Sequence, residues 1–353
     1  MNQISKLTRV LSVILLCLML LSSFSSCALL KSGDDLQSCE FFGYFDTLST
    51  VKIYESDEKE LERTKAELRS LLEEYDILLD RYEQHDGTVN LYSLNQNAGV
   101  DKLTIDKKLF DAIELGKQMH VLTDGECNIA LGSVIELWHD ARSVALSDPD
   151  SAYVPSSEAI SDALLHTDID SVILDKDELS VCITDAALSI DLGAIAKGYV
   201  AQRTSERLLE LGYEDFLINL GGNVLARGKK RDGTNWTAMI EDPLASEREW
   251  DTNVISLHSQ TLVTSGSYQR FYTVGKKNYS HIVSKDDGMP PEHFVSVSIL
   301  APADSSCLAD ALSTALFCMD IESGKRLISS LDGVDAVWLY PDGSVYSTLE
   351  EVA

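Results

Sequence analysis

Residues 189–199 read Ser-Ile-Asp-Leu-Gly-Ala-Ile-Ala-Lys-Gly-Tyr, and here a strand pattern passes through a turn of small residues into a helical pattern. Small residues let a ligand approach the backbone closely, and a helix start offers free N–H groups to a phosphate. Lys197 lies one turn into the helix and can reach a diphosphate, while Asp191 can accept hydrogen bonds from a sugar or an adenine. The glycine patterns GxxxxGK[ST] and GxGxxG are absent from the stretch. The spacing therefore fits a nucleotide site and a packing turn equally well.

Residues 309–315, Ala-Asp-Ala-Leu-Ser-Thr-Ala, carry a second informative pattern at the start of an apolar helical segment. Asp310 and Thr314 are four residues apart, so a helix presents both oxygens on one face. Such hard oxygen ligands suit Mg²⁺, which takes few protein ligands and completes its shell with water and phosphate. Taken alone, the same pattern also fits an N-cap at Asp310 and a back-bonded threonine.

The periodicity along the chain predicts an α+β fold, because helical and strand patterns mix without regular alternation. We expect one large domain, since no low-complexity linker divides the body. Strands are predicted at 45–54, 172–174, 179–183, 187–190, 216–219, 223–227, 235–241, 252–257, 261–264, 270–274, 294–300, 335–340 and 344–348. Helices are predicted after the cap residues Asp57 and Asp106 and at 194–211, 306–319 and 321–331.

The N-terminal residues indicate export. Lys6 and Arg9 precede an apolar run at 10–21 that is too short for a comfortable transmembrane span. Phe-Ser-Ser-Cys at 24–27 resembles the lipobox of bacterial lipoproteins, which implies a signal peptide at 1–26, a lipidated Cys27 with a tether to residue 40, and a catalytic domain at 41–353. The chain would then sit on the extracytoplasmic face of the bacterial cytoplasmic membrane, held by a lipid anchor. An ordinary secretory signal or an uncleaved anchor is the alternative.

The composition excludes some classes of function. The net charge of −28 argues against nucleic acid as a partner, because binding to a phosphate backbone needs a basic surface. Five cysteines follow Cys27, an odd number with no CxxC pair. This argues against a disulfide framework and against a zinc site.

Many segments resemble, in one order, those of the ApbE family, the FAD:protein FMN transferases. They are residues 45–47, 80–82, 94–95, 123–130, 191–199, 218–224, 241–243, 264–268, 279–282 and 309–314. The resemblance spans about residues 40–350 and implies a T-fold-like domain. It also implies that FAD binds in a cleft with Mg²⁺ on its diphosphate, and that a Thr or Ser hydroxyl of an acceptor protein attacks the FMN phosphorus and displaces AMP. Positioning and charge neutralisation carry most of the catalysis in such a transfer.

The resemblance also assigns roles residue by residue. Asp310 and Thr314 match the side-chain metal ligands, Ala194 matches a position whose backbone carbonyl completes the metal site, and Ser313 lies beside them. His281 resembles the general base, and Asp310 belongs with it to the catalytic set. The positions that match FAD contacts are Phe45, Tyr82, Glu126, Cys127, Asn128, Asp191, Lys197 and Ile282. The implied acceptors are membrane-associated FMN-bearing subunits of redox complexes or extracytoplasmic electron-transfer proteins.

The chain departs from the family at two places. Some members have Asp where this chain has Ser313, so a second carboxylate is missing. The family often has Phe-Asp where this chain has Cys127-Asn128, which removes an aromatic wall and a charge.

Two other functions use much of the same pattern. A Mg²⁺-dependent FAD pyrophosphatase would give FMN and AMP with water as the acceptor. A lipoprotein that binds flavin without catalysis would need no general base, and His281 would then be a structural residue of a strand.

Overall fold

The structure is a computed structural model that describes residues 35–244 and 254–349. Its strands are β1 Leu36–Tyr44, β2 Thr47–Tyr54, β3 Leu103–Thr104, β4 Val172–Asp175, β5 Ser180–Ile183, β6 Phe216–Leu220, β7 Asn223–Arg227, β8 Trp236–Met239, β9 Val254–Leu257, β10 Gln260–Gly266, β11 Phe271–Val274, β12 Lys277–Ser280, β13 Ser296–Pro302, β14 Asp335–Leu339 and β15 Val345–Ser347. Its helices are α1 Glu58–Leu79, α2 Leu91–Gln96, α3 Lys107–Leu122, α4 Gly132–Ser147, α5 Ser157–Leu164, α6 Ala196–Glu210, α7 Ser306–Cys318 and α8 Ile321–Ser329.

An eight-stranded antiparallel sheet in the order β1-β2-β6-β7-β10-β13-β14-β15 forms the centre of the fold. Successive side chains of a strand point to opposite faces, and both faces here are buried. Val263 and Ile299 face the main core under α6 and α7. Leu262 and Leu300 face a smaller core under the β8–β9 ribbon. Helices on one face and a ribbon on the other therefore protect the middle of the sheet from solvent.

A second layer stands beside this sheet and forms the opposite wall of a cleft. Helices α4 and α5 pack with the β11–β12 ribbon around Trp138. The indole Nε1 of Trp138 donates to the Gly288 carbonyl at 2.8 Å, and its ring stacks on Tyr279 at 5.6 Å between centroids. These contacts fix α4 against the ribbon.

The predicted α+β domain is confirmed, as are the caps of its early helices. Asp57 accepts from the Lys59 and Glu60 N–H groups at the start of α1, and Asp106 accepts from the Lys108 N–H at the start of α3. The helix predicted from residue 194 begins at Ala196 instead. Residues 193–195 form a turn, so the Ala194 carbonyl precedes the helix.

Two further predictions from the sequence were wrong. No strand forms at 187–190, because the side-chain amide of Asn95 pairs with both backbone groups of Ile190, at 2.9 and 2.8 Å, in place of a neighbouring strand. Residues 36–40, assigned to the tether, lie in β1, where they pair with β2. The signal peptide at 1–26, Cys27 and residues 28–34 lie outside the described residues, as do 252–253 of the predicted strand 252–257.

Candidate active site

A cleft with a cavity volume of about 410 Å³ opens between the main sheet and the α4 layer. This volume lies in the range of small-molecule sites. The cleft is lined by many of the residues singled out in the sequence, which come from segments far apart in the chain. They are Tyr82, Glu126, Cys127, Asn128, Asp191, Ala194, Lys197, His281, Ile282 and Thr314.

Three predicted site residues do not line the cleft. Phe45 lies in the β1–β2 turn with a φ of 53°, and its N–H donates to Asp76 Oδ1 at 2.7 Å. Its neighbours Asp46 and Thr47 line the cleft in its place. Asp310 and Ser313 are buried in α7.

The turn that carries Asp191 is held by Arg81, a residue to which the sequence analysis gave no role. The buried guanidinium of Arg81 donates to Asp191 Oδ2 at 2.6 Å and, at 3.2 Å each, to the Gly132 carbonyl and Ser189 Oγ. The other carboxylate oxygen of Asp191 accepts from the Gly193 N–H at 2.7 Å. Both oxygens of Asp191 therefore organise the turn that places Ala194 and Lys197 in the cleft.

The Asp310 carboxylate is 3% exposed and has the character of a cation ligand. Its Oδ2 accepts from the Gly198 N–H at 2.7 Å, yet in the described chain no Lys, Arg or His forms an ion pair with it. Burial raises the pKa of Asp310 above its usual range, while Lys197 and the Gly198 N–H act in the other direction. A buried carboxylate without a counter-ion is costly, so a bound cation would stabilise it. The oxygens of Asp310, Thr314 and Ala194 fit Mg²⁺ in kind.

Gly198 allows this arrangement, because helices α6 and α7 meet there. A Cβ atom on Gly198 would lie 2.6 Å from Asp310 Cβ and nearer still to the backbone oxygen of Ser306. Only glycine leaves room for the Gly198 N–H to reach the carboxylate.

The Ser313 hydroxyl, predicted beside the metal ligands, is engaged within the protein. Its fully buried hydroxyl donates to the Asp310 carbonyl at 2.8 Å and lies 2.7 Å from Ser265 Oγ. Ser265 Oγ is also 3.2 Å from Thr314 Oγ1. The Ser313 hydroxyl therefore bonds within α7 and to the end of β10. Of Ser313 and Thr314, Thr314 lines the cleft.

His281 has its tautomer fixed by the backbone. The Arg270 carbonyl lies 3.1 Å from the His281 N–H nitrogen and 3.1 Å from its Nδ1. A carbonyl can only accept, so Nδ1 carries the proton and Nε2 keeps a free lone pair. His281 is exposed as a whole residue and lines the cleft, so its ring keeps a face open to solvent. Desolvation, with help from the charges of Lys197, Arg270 and Arg142, lowers the pKa of His281 to about 4. The ring is therefore neutral at pH 7 and can accept a proton.

The side chains of residues 126–128 are neutral or already bonded to other parts of the protein. Burial raises the pKa of the Cys127 thiol to about 12, so it is a neutral wall of the cleft. The Asn128 amide is already used, since it donates to the Thr167 carbonyl at 2.9 Å and accepts from the Ala130 N–H at 2.9 Å. Glu126 pairs with Lys285 at 3.3 Å.

Tyr82 supplies an aromatic surface at the rim of the cleft. The ring of Tyr82 is 52% exposed and stacks on His139, with 4.7 Å between ring centroids. This rim offers a flat surface to a planar ring.

The family model described as the ApbE family matches residues 45–338. The chain belongs to the ApbE family. It is 31% identical over 318 residues to a protein of Treponema pallidum named FAD:protein FMN transferase, across 85% of this chain and 83% of that protein. It is 29% identical over 291 residues to a protein of the same name from Klebsiella pneumoniae, across 82% and 84%. The solved structure of the ApbE protein from Thermotoga maritima has a TM-score of 0.75 at 24% identity and covers 88% of this chain and 96% of its own.

The ApbE assignment made from the sequence motifs is thereby confirmed. Two further observations describe this ApbE chain over residues 35–244 and 254–349. No group of three or more His, Cys, Asp and Glu side chains there could hold a metal, so the candidate site depends on one carboxylate with hydroxyl and carbonyl oxygens. In the same ranges no helix has the length and apolar character needed to cross a membrane.

Proposed function

We propose that this chain transfers FMN from FAD to a threonine or serine hydroxyl of an acceptor protein and releases AMP. The names of its relatives in Treponema pallidum and Klebsiella pneumoniae support this activity. The observation that carries it is that one cleft brings together His281, with Nδ1 bonded to a carbonyl and Nε2 as the acceptor, Lys197, which forms no ion pair within residues 35–244 and 254–349, and the Thr314 and Ala194 oxygens near Asp310.

The reaction needs a proton acceptor, and His281 is placed to serve. The acceptor oxygen forms a bond to the FMN phosphorus, and the bond from that phosphorus to the oxygen bridging to AMP breaks. The hydroxyl proton passes to Nε2 of His281, and the bridging oxygen leaves with AMP. The Nδ1–H bond to the Arg270 carbonyl holds the ring in the tautomer that this step requires.

Asp310, Thr314 and the Ala194 carbonyl would hold Mg²⁺. When bound, the metal supplies charge neutralisation at the FAD diphosphate. Lys197, one turn into α6, adds a positive charge at the same side of the cleft. Support for the metal comes from the buried Asp310 carboxylate, which has no counter-ion in the described chain.

The planar parts of FAD have a matching surface. The exposed Tyr82 ring and the apolar Ile282 and Cys127 offer contact to flavin or adenine. Because Asp191 is committed to Arg81, we propose that its main contribution is to hold the turn rather than to bind FAD directly.

We propose the cellular location from the N-terminal sequence. A lipidated Cys27 would anchor the chain at the extracytoplasmic face of the cytoplasmic membrane, where flavoproteins of redox complexes or electron-transfer chains would be its acceptors. Palmitate labelling of the wild type and of Cys27→Ala checks this, because only the wild type should incorporate the label.

Incubation with FAD, Mg²⁺ and a flavoprotein acceptor tests the activity. Wild type should attach flavin to the acceptor, and His281→Ala should lower the rate by roughly 10²–10⁴-fold, as loss of a general base does. His258→Ala is a matched control, because its Nδ1 also faces a backbone carbonyl, that of Gly228, outside the cleft. AMP release with an unlabelled acceptor would instead assign a pyrophosphatase, and FAD binding with no turnover would assign a binding protein.

A further inference from the structure

Three cationic side chains line the cleft. They are Arg142 from α4, Lys197 from α6 and Arg270 from the connection between β10 and β11. Over residues 35–244 and 254–349, none of the three takes part in an ion pair. The chain has 57 acidic and only 29 basic residues, so unpaired cations gathered in one place are unexpected.

Arg142 is half-buried in the lining of the cleft. Its Nε atom is buried and has no hydrogen-bond acceptor in the described part of the chain. An unsatisfied buried donor costs about 1–3 kcal/mol. A ligand oxygen in the cleft would satisfy it.

Arg270 contacts the proposed general base, His281, through its backbone carbonyl. Its carbonyl holds the His281 ring, and its side chain lines the same cleft. The acids of the cleft leave this positive charge largely uncompensated, since Glu126 pairs with Lys285 and Asp191 pairs with Arg81. Asp46, at the β1–β2 turn, is the remaining acid of the lining.

We propose that Arg142 and Arg270, together with Lys197, form a phosphate subsite beside His281 that binds the non-bridging oxygens of the phosphoryl group under attack. A guanidinium can donate two parallel hydrogen bonds to such oxygens. Phosphoryl transfer spreads negative charge over these oxygens, so cations fixed there stabilise the transition state. The role of this subsite in flavin transfer rests on the proposed function, while its binding of a phosphate or pyrophosphate anion does not depend on that function.

Calorimetry with inorganic pyrophosphate, in EDTA and at low salt, tests the subsite without the metal or turnover. Wild type should bind, and Arg142→Gln and Arg270→Gln should each weaken binding about tenfold, the value of one charge-assisted hydrogen bond. Arg326→Gln on α8 should bind as wild type does, because Arg326 lies outside the cleft. No binding by wild type, or equal binding by all four proteins, overturns the proposal.

Flavin transfer with saturating Mg²⁺ gives the second readout. Arg142→Lys and Arg270→Lys should recover part of the kcat that the glutamine variants lose, because charge returns without the paired geometry. They also serve as binding probes if a glutamine variant does not fold. Arginine-dependent pyrophosphate binding without any flavin transfer would refute the proposed function and keep the subsite. Transfer with binding and kcat independent of both arginines would refute the subsite alone.

Discussion

Replacing Gly198 by alanine should destabilise the chain and disturb Asp310, although alanine is the better helix former. The added Cβ would lie 2.6 Å from Asp310 Cβ and nearer to the Ser306 backbone oxygen, and neither atom can rotate away. Helices α6 and α7 must then separate, which lengthens the 2.7 Å contact between the Gly198 N–H and Asp310 Oδ2. Contacts this short lie well inside ordinary van der Waals separation.

The expected loss follows from three contributions. Overpacking costs about 1–3 kcal/mol, loss of the buried hydrogen bond between the Gly198 N–H and Asp310 costs about 1–3 kcal/mol, and the helix propensity of alanine returns about 1 kcal/mol. We therefore expect the free energy of unfolding to fall by about 1–5 kcal/mol, measured by urea denaturation at pH 7. Flavin transfer should fall as well, because Asp310 moves.

Gly324→Ala is the matched control for this experiment. Gly324 also lies in a helix, but its new Cβ would meet only side-chain atoms of Leu316 and Trp338, each at 3.2 Å. Contacts at this distance need a shift of only a few tenths of an ångström, far less than at Gly198, so the unfolding free energy should change by less than about 1 kcal/mol. A Gly198→Ala protein as stable and as active as wild type would refute the account of the α6–α7 contact.

Three other perturbations have defined outcomes. Asp310→Asn should leave the stability of the metal-free protein nearly unchanged, since burial already disfavours the charge of Asp310. Mg²⁺ should raise the Tm of wild type but not that of the variant. Equal Tm shifts with Mg²⁺ in the two proteins would exclude Asp310 as a ligand. His281 has a folded pKa of about 4, below the ~6.5 of free imidazole, so the unfolded chain binds its proton first on acidification. Its contribution to the free energy of unfolding should thus rise between pH 4 and pH 6.5 and stay constant above. The acid limb of kcat/KM should lie near pH 4, and a limb at pH 6.5 would contradict the desolvated ring. Arg81→Met should cost about 3 kcal/mol in urea denaturation, the lower end for breaking a buried pair, because the Asp191 carboxylate is half-buried at the cleft and keeps its bond from the Gly193 N–H. Arg81→Met with wild-type stability would show that Asp191 does not need its partner.

Local sequence patterns predicted the features that depend on neighbours in the chain. The cap at Asp57 needs only the next few residues, and the i,i+4 spacing of Asp310 and Thr314 needs only a helix. Both are present in the structure. The order of the ApbE motifs added the cleft residues, because the family arrangement already contains the long-range contacts.

Contacts between distant segments could not be predicted from spacing. The Arg81–Asp191 pair joins residues 110 apart, and the Asn95 amide replaces a strand partner of Ile190 across 95 residues. The direction of the Ser313 hydroxyl depends on Ser265, on another strand. Such pairings follow from packing, which no local pattern encodes.

The mass of an acceptor flavoprotein co-expressed with this chain tests the central claim most directly. The account predicts an acceptor heavier by one FMN, with loss of water, on a single threonine or serine, and the same acceptor unmodified with His281→Ala or Asp310→Asn. An acceptor that stays unmodified with the wild-type chain, with FAD and Mg²⁺ in excess, would contradict it.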